Sequence, residues 1–137
     1  DRFQSCFTIA YLVIDLKNGR LLSSTAGHPY PLIVRKNGDL IHLNKGGPLI
    51  GIGEPRFLEL EETLCHGDKL VLYTDGVTEL HDPERNMFGL ERLEQILKKS
   101  AGDPVDEIGD TILTALANFA GAAKPADDIT LLGMEYV

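Results

Sequence analysis

The chain has 137 residues, 43% of them hydrophobic and 25% charged, the make-up of one ordinary globular domain that can bury a core without disulfides or a structural metal. Its 13 Lys and Arg stand against 21 Asp and Glu, a net charge of −8, which argues against a nucleic-acid binder and against a polybasic membrane-surface module, since both need clustered positive charge. No apolar run approaches the ~18 residues of a membrane span, no secretory leader is visible, and Cys6 and Cys65 lack disulfide or metal spacing, so a reducing, cytoplasmic setting without direct membrane contact is expected.

Residues 6–15 are almost wholly apolar or β-branched, which predicts a strand buried on both faces with Cys6 as a small buried hydrophobe. Asn18-Gly19 predicts a type I′ hairpin turn, after which residues 20–25 run back. Residues 31–35 and 39–43 form a second hairpin around Asn37-Gly38. Residues 45–55, with Gly46, Gly47, Pro48, Gly51, Gly53 and Pro55, read as a loop pinned to the core by Leu49, Ile50 and Ile52. Residues 57–61 alternate, with Leu58 and Leu60 on one face of a half-exposed strand. Gly67-Asp68 turns the chain into a strongly apolar strand, 69–74, which ends at Asp75-Gly76.

Two helices follow. Residues 88–99 place Leu90, Leu93, Ile96 and Leu97 on one stripe and Lys98 and Lys99 in the last turn, where the helix dipole favours cations. Asp103 as N-cap and Pro104 as first helical residue open the second, which Gly121 stops. Residues 129–136 are a returning strand. The order predicts an α+β fold, with helices covering a mostly antiparallel sheet.

Two acidic positions stand out. Asp75 ends a buried strand and is followed by Gly76, which lets backbone, water or an ion approach closely. Asp127-Asp128 immediately precedes the last strand. If the two strands are sheet neighbours, these carboxylates converge, and carboxylates without His or Cys suit Mg²⁺ or Mn²⁺. The bland alternative is a turn at Asp75 and a cap or Asx-turn at Asp127. His28, His42, His66 and His81 lack zinc-ligand spacing, and the other acids read as solvated faces. The stretch 70–78 superficially resembles haloacid dehalogenase-like phosphatases, but Tyr73 stands where their nucleophilic Asp belongs, and a phenol cannot form the acyl phosphate.

Four stretches in order, residues 26–32 (AGHPYPL), 47–52 (GPLIGI), 67–79 (GDKLVLYTDGVTE) and 127–132 (DDITLL), resemble the PPM-type (protein phosphatase 2C-like) metal-dependent serine/threonine phosphatases, and within them the bacterial SpoIIE-like branch. The resemblance spans essentially the whole chain. It implies a β-sandwich flanked by helices with a two-metal Mn²⁺ or Mg²⁺ centre at one end. Asp75 and Asp127 match metal-ligand positions, with Gly76 and Asp128 in supporting slots. The implied reaction is attack on phosphorus by a metal-activated water, with no side-chain nucleophile. His28 belongs to the pattern and is read as loop packing ahead of substrate contact. Thr74 and Thr78 flank the site in turn or core roles, and no substrate-binding residue is identified.

The family's upstream acidic motif, Gly-Asp-x-x-Gly-like, is absent. Gly38-Asp39, Gly67-Asp68, Gly102-Asp103 and Gly109-Asp110 all lack the following Gly. Residues 1–137, starting at Asp1, are therefore expected to be the C-terminal part of a single phosphatase domain, incomplete at its N-terminus and in its metal centre. The implied activity is removal of phosphate from phosphoserine or phosphothreonine on a regulatory protein of the anti-anti-sigma type. The alternative is a catalytically degenerate module that binds a signalling partner. Exposed edges in the shortened fold also favour self-association of the chain.

Overall fold

The computed structural model describes residues 5–52, 54 and 56–137, so Asp1, Gly53 and Pro55 lie outside the described residues. In chain order the elements are β1 (Ile9–Ile14), β2 (Arg20–Ala26), β3 (Leu32–Val34), β4 (Leu40–His42), β5 (Gly46–Gly47), β6 (Leu60–Thr63), β7 (Lys69–Tyr73), α1 (Asp75–Thr78), α2 (Gly89–Lys99), α3 (Val105–Ala120) and β8 (Leu131–Glu135). One sheet runs β1-β2-β5, with β6 also paired to β2; the other runs β4-β3-β7-β8. Every pairing is antiparallel except the short β2–β5 contact, Thr25 to Gly46 and Ala26 to Gly47. That contact lies within the predicted loop and carries no periodicity that would reveal it.

The two sheets enclose one core: Leu21, Ile33, Leu43, Leu64 and Leu70 are buried there, with Leu12, Leu60 and Met134 packed around them. A second core fills the space between the β4-β3-β7-β8 sheet and the helices. Leu32, Val34, Val71 and Tyr73 meet Val77, Leu93, Leu97, Ile108, Ile112 and Leu116. The fold is thus the expected α+β sandwich, with helices on one outer face. None of the described helices is long and apolar enough to cross a membrane.

Several local expectations are corrected. β1 is buried on one face only: Leu12 and Ile14 point inward, while Ile9, Tyr11 and Val13 are 41%, 62% and 48% exposed. All three helices pack on the other sheet, so among the described residues no helix covers this side. Cys6 is exposed rather than buried, because it precedes β1 in a segment joined to the 45–52 loop by the Phe7–Ile50 bridge and not built into the sheet. Neither Asn-Gly turn is type I′: Gly19 (φ 74°) and Gly38 (φ 92°) are left-handed, but Asn18 and Asn37 are not. In the second hairpin the Gly38 N–H donates to the Arg35 carbonyl at 2.9 Å, a turn that ends in a left-handed glycine.

β6 begins at Leu60, not at residue 57, since its register is set by β2 through Arg20–Thr63 to Ser23–Leu60. Leu58 is consequently 62% exposed. Ile52 is 55% exposed and does not pin its loop, whereas Leu49 and Ile50 are half-buried. Pro104, not Asp103, occupies the N-cap of α3, with no side-chain cap; Gly121 (φ 54°) ends the helix as expected. The Gly67-Asp68 turn contains a buried carboxylate: Asp68 pairs with Arg35 and accepts the Cys65 N–H at 2.6 Å.

Ile33→Ala is expected to cost about 2–5 kcal/mol in urea unfolding, because Ile33 is fully buried between the sheets. Tyr11→Ala, on the open face of β1, is expected to cost less than about 1 kcal/mol in the same measurement.

Candidate functional site

The site is built where β7 ends and β8 begins. The two strands pair antiparallel, with Tyr73 opposite Leu131, so the exit of one lies beside the entrance of the other. Thr74 is extended (φ −97°, ψ 163°), and the chain then turns into α1, whose first residue is Asp75. The sequence pattern marks Asp75-Gly76 only as the end of the strand, because a helix of four residues carries too little periodicity to be seen.

Thr74 clamps the lead-in to β8. Its N–H donates to the Thr130 carbonyl at 3.1 Å, and its hydroxyl accepts the Thr130 N–H at 3.0 Å and donates to the Asp128 carbonyl at 3.3 Å. The small residue at 76 has a definite reason: a Cβ there would lie 2.1 Å from the Asp128 carbonyl oxygen. The close approach at Gly76 is therefore by backbone. Asp127 Oδ1 accepts the Asp128 N–H at 2.8 Å, which sets the turn into the strand.

Asp75, Asp127 and Asp128 are exposed and line one cleft of about 350 Å³, together with Thr8, His28 and Thr74. No Lys or Arg lines it, so its charge is acidic and its donors are hard oxygens, the set that suits Mg²⁺ or Mn²⁺. The set is not closed: among the described residues no group of three or more His, Cys, Asp or Glu side chains could hold a metal ion. His28 is half-buried, with Nδ1 2.9 Å from the Pro29 carbonyl oxygen. Thr78 Oγ1 donates back to the Asp75 carbonyl at 3.4 Å. Thr8 and Thr130 also line the cleft and were missed, since tertiary structure alone brings them there, Thr130 beside Thr74 and Thr8 from the segment before β1 in the other sheet.

Beside this cleft a second one, of about 330 Å³, opens between the sheets at the β1 and β8 edges. The two share Thr8, His28, Thr74 and Thr130. Leu132, on the inter-sheet face of β8, is 60% exposed there. The sandwich is therefore unfilled on the side where the carboxylates gather.

This arrangement is that of a PPM-type phosphatase-fold module. The family described as Stage II sporulation protein E (SpoIIE) matches residues 2–137, and the chain belongs to that family. It is similar to the SiaA PP2C domain of Pseudomonas aeruginosa (26% identity, TM-score 0.76, 88% of this chain and 48% of that one). It is also similar to the RsbU and RsbW domains of Rv1364c from Mycobacterium tuberculosis (28% identity, TM-score 0.78, 93% of this chain and 35% of that one). Protein IcfG of Synechocystis is 30% identical over 128 residues, 93% of this chain but 20% of its own length. The chain thus spans less than half of each of these three relatives.

Gly76→Ala is expected to destabilise the fold by about 1–3 kcal/mol in urea unfolding, because the clashing atom is backbone and must shift. Tyr73 provides a pH test. Burial first, then the Glu94 and Asp75 charges, raises its phenol above the ordinary 10.0. The folded chain holds that proton to higher pH than the unfolded chain does. The stabilisation is complete below pH ~10 and is lost as pH rises through the folded value. Tyr73→Phe is expected to flatten this alkaline decline in a series of unfolding curves.

Proposed function

We propose that this chain is the C-terminal part, residues 1–137, of a single metal-dependent protein serine/threonine phosphatase domain. The observation that supports it is the opening of Asp75 and Asp127 into one acidic cleft at the ends of paired strands. Asp75 and Asp127 hold Mn²⁺ or Mg²⁺ in this reading, with further ligands supplied from outside the chain. Gly76 admits the Asp128 carbonyl, and Asp128 and Thr74 hold the 127–130 segment against β7. When bound, such ions neutralise charge on a phosphoryl group and acidify water. No side-chain nucleophile is needed, and none of the residues lining the cleft is a Cys or Ser.

The substrate in this reading is a phosphoserine- or phosphothreonine-bearing regulatory protein, of the anti-anti-sigma type. The similar M. tuberculosis protein, which carries RsbU and RsbW domains in one chain, supports a regulatory setting. A second reading, a degenerate module that binds a signalling partner without catalysis, is favoured by the open ligand set among the described residues. The residues encoded upstream discriminate: an Asp-bearing, glycine-rich motif there favours the enzyme.

Assay of the full-length protein with Mn²⁺ on a phosphothreonine peptide tests the enzyme reading. Asp75→Asn is expected to lower turnover beyond the roughly 10–100-fold typical of outer-shell changes at metal sites. Equal activity in both proteins would sink the proposal. The chain as it stands is expected to bind Mn²⁺ weakly in calorimetry, and a tight two-ion isotherm contradicts the incomplete-centre reading.

A further inference from the structure

After α1 the chain makes a tight hairpin. His81 bridges Met87, and the Phe88 N–H donates to the Leu80 carbonyl at 2.7 Å. At its tip the Asp82 N–H donates to the Asn86 carbonyl at 3.0 Å and the Arg85 N–H to the Asp82 carbonyl at 3.0 Å. Both Asp82 carboxylate oxygens are committed to Asn86, accepting its N–H at 2.8 Å and its Nδ2–H at 2.9 Å. Arg85 has φ 68°, the one non-glycine positive φ among the described residues. Gly or Asn is the residue type that takes this backbone conformation more readily.

Facing this hairpin is the turn that follows α3. The walls come together where Pro83 lies 4.0 Å from the Cβ position of Gly121. Between them lies a cleft of about 580 Å³ whose lining includes His81, Asp82, Arg85, Lys124 and Ala126. Ala126 is followed directly by Asp127, so residues 122–128 form one continuous wall leading from this cleft into the acidic one. Arg85 and Lys124 are exposed and belong to none of the ion pairs among the described residues. Asp82 is the one acid in the lining, while Glu84 lies outside it.

On a chain of net charge −8 this is a local reversal of sign, placed beside the proposed reaction centre. An acidic polypeptide is repelled by most of this surface and attracted here. We propose that the cleft between the 81–87 hairpin and the 122–126 turn docks an acidic peptide segment flanking the phosphorylated residue of the protein substrate, with Arg85 and Lys124 as its cationic contacts. This deepens the phosphatase reading and rests on it for the identity of the occupant.

The test is binding, measured on the full-length protein by fluorescence anisotropy in EDTA, so that it depends on neither metal nor turnover. The probes are a short unphosphorylated Asp/Glu-rich peptide, a neutral peptide of equal length and a single-stranded RNA of equal charge. The acidic peptide is expected to bind more tightly than both others and to weaken as salt is raised. Arg85→Glu and Lys124→Glu are each expected to weaken it by at least about fivefold. Arg85→Gly, which relieves the left-handed backbone and so cannot fail through added strain, is expected to weaken it in the same direction. Affinity within twofold of the unaltered protein in all three variants overturns the proposal. Acidic and neutral peptides of equal affinity, or RNA binding as tightly as the acidic peptide, also overturn it. A full-length protein that binds the acidic peptide but shows no phosphatase activity counts against the enzyme reading alone.

Discussion

The antiparallel pairing of β7 with β8 is the constraint on which the rest of the molecule turns. It carries Val71 and Tyr73 to the helices and Leu70 and Met134 to the inter-sheet core, so it joins both hydrophobic layers. It also decides which loops meet. With Tyr73 opposite Leu131, the residue two beyond β7 and the residue four before β8 share one cleft, although 52 positions separate Asp75 from Asp127 in the sequence. The Thr74 hydroxyl extends the ladder past the last strand pair, and Gly76 lets the two backbones close on each other.

Charge is distributed along this frame with some economy of means. Arg35 and the buried Asp68 tie β3 to the turn before β7, and His42 pairs with Glu94 between β4 and α2. These acids have partners. Asp75, Asp127 and Asp128 belong to none of the ion pairs among the described residues, and they are the acids that line the cleft. In the proposed reading a bound cation would supply the counter-charge that these carboxylates lack. The electrostatic logic of the site thus runs in the same direction as its donor chemistry.

Legibility in the sequence followed the reach of each signal. The extents of α2 and α3, the apolar run of β7 and the Gly121 stop are local patterns, and they carried to the structure with end shifts of about a residue, but Leu90, read as part of the α2 stripe, is 38% exposed, and the buried face of that helix is Leu93 and Leu97. The convergence of Asp75 and Asp127 depended on a strand pairing that local pattern could only make conditional. What stayed hidden was non-local. The burial of Asp68 depends on Arg35, the β6 register depends on β2, and the exposure of Cys6 and Tyr11 depends on what covers β1. An apolar run such as 6–15 reports that a surface can be buried; it does not report whether a partner is present. Both Asn-Gly turns were placed correctly, and only the type I′ reading of Asn18-Gly19 failed, since a left-handed glycine also serves a turn in which the Asn before it is not left-handed.

The alternation along β7 has a dynamic consequence. Because its successive side chains enter different cores, the strand opens only by parting both layers, and its amide protons are expected to be among the slowest to exchange. The 122–130 segment is largely exposed and is held to β7 by a few bonds to Thr74, so it is expected to open at lower cost. Asp75 therefore stands on the more firmly anchored side of the cleft, at the end of β7, and Asp127 on the side with fewer ties to the core.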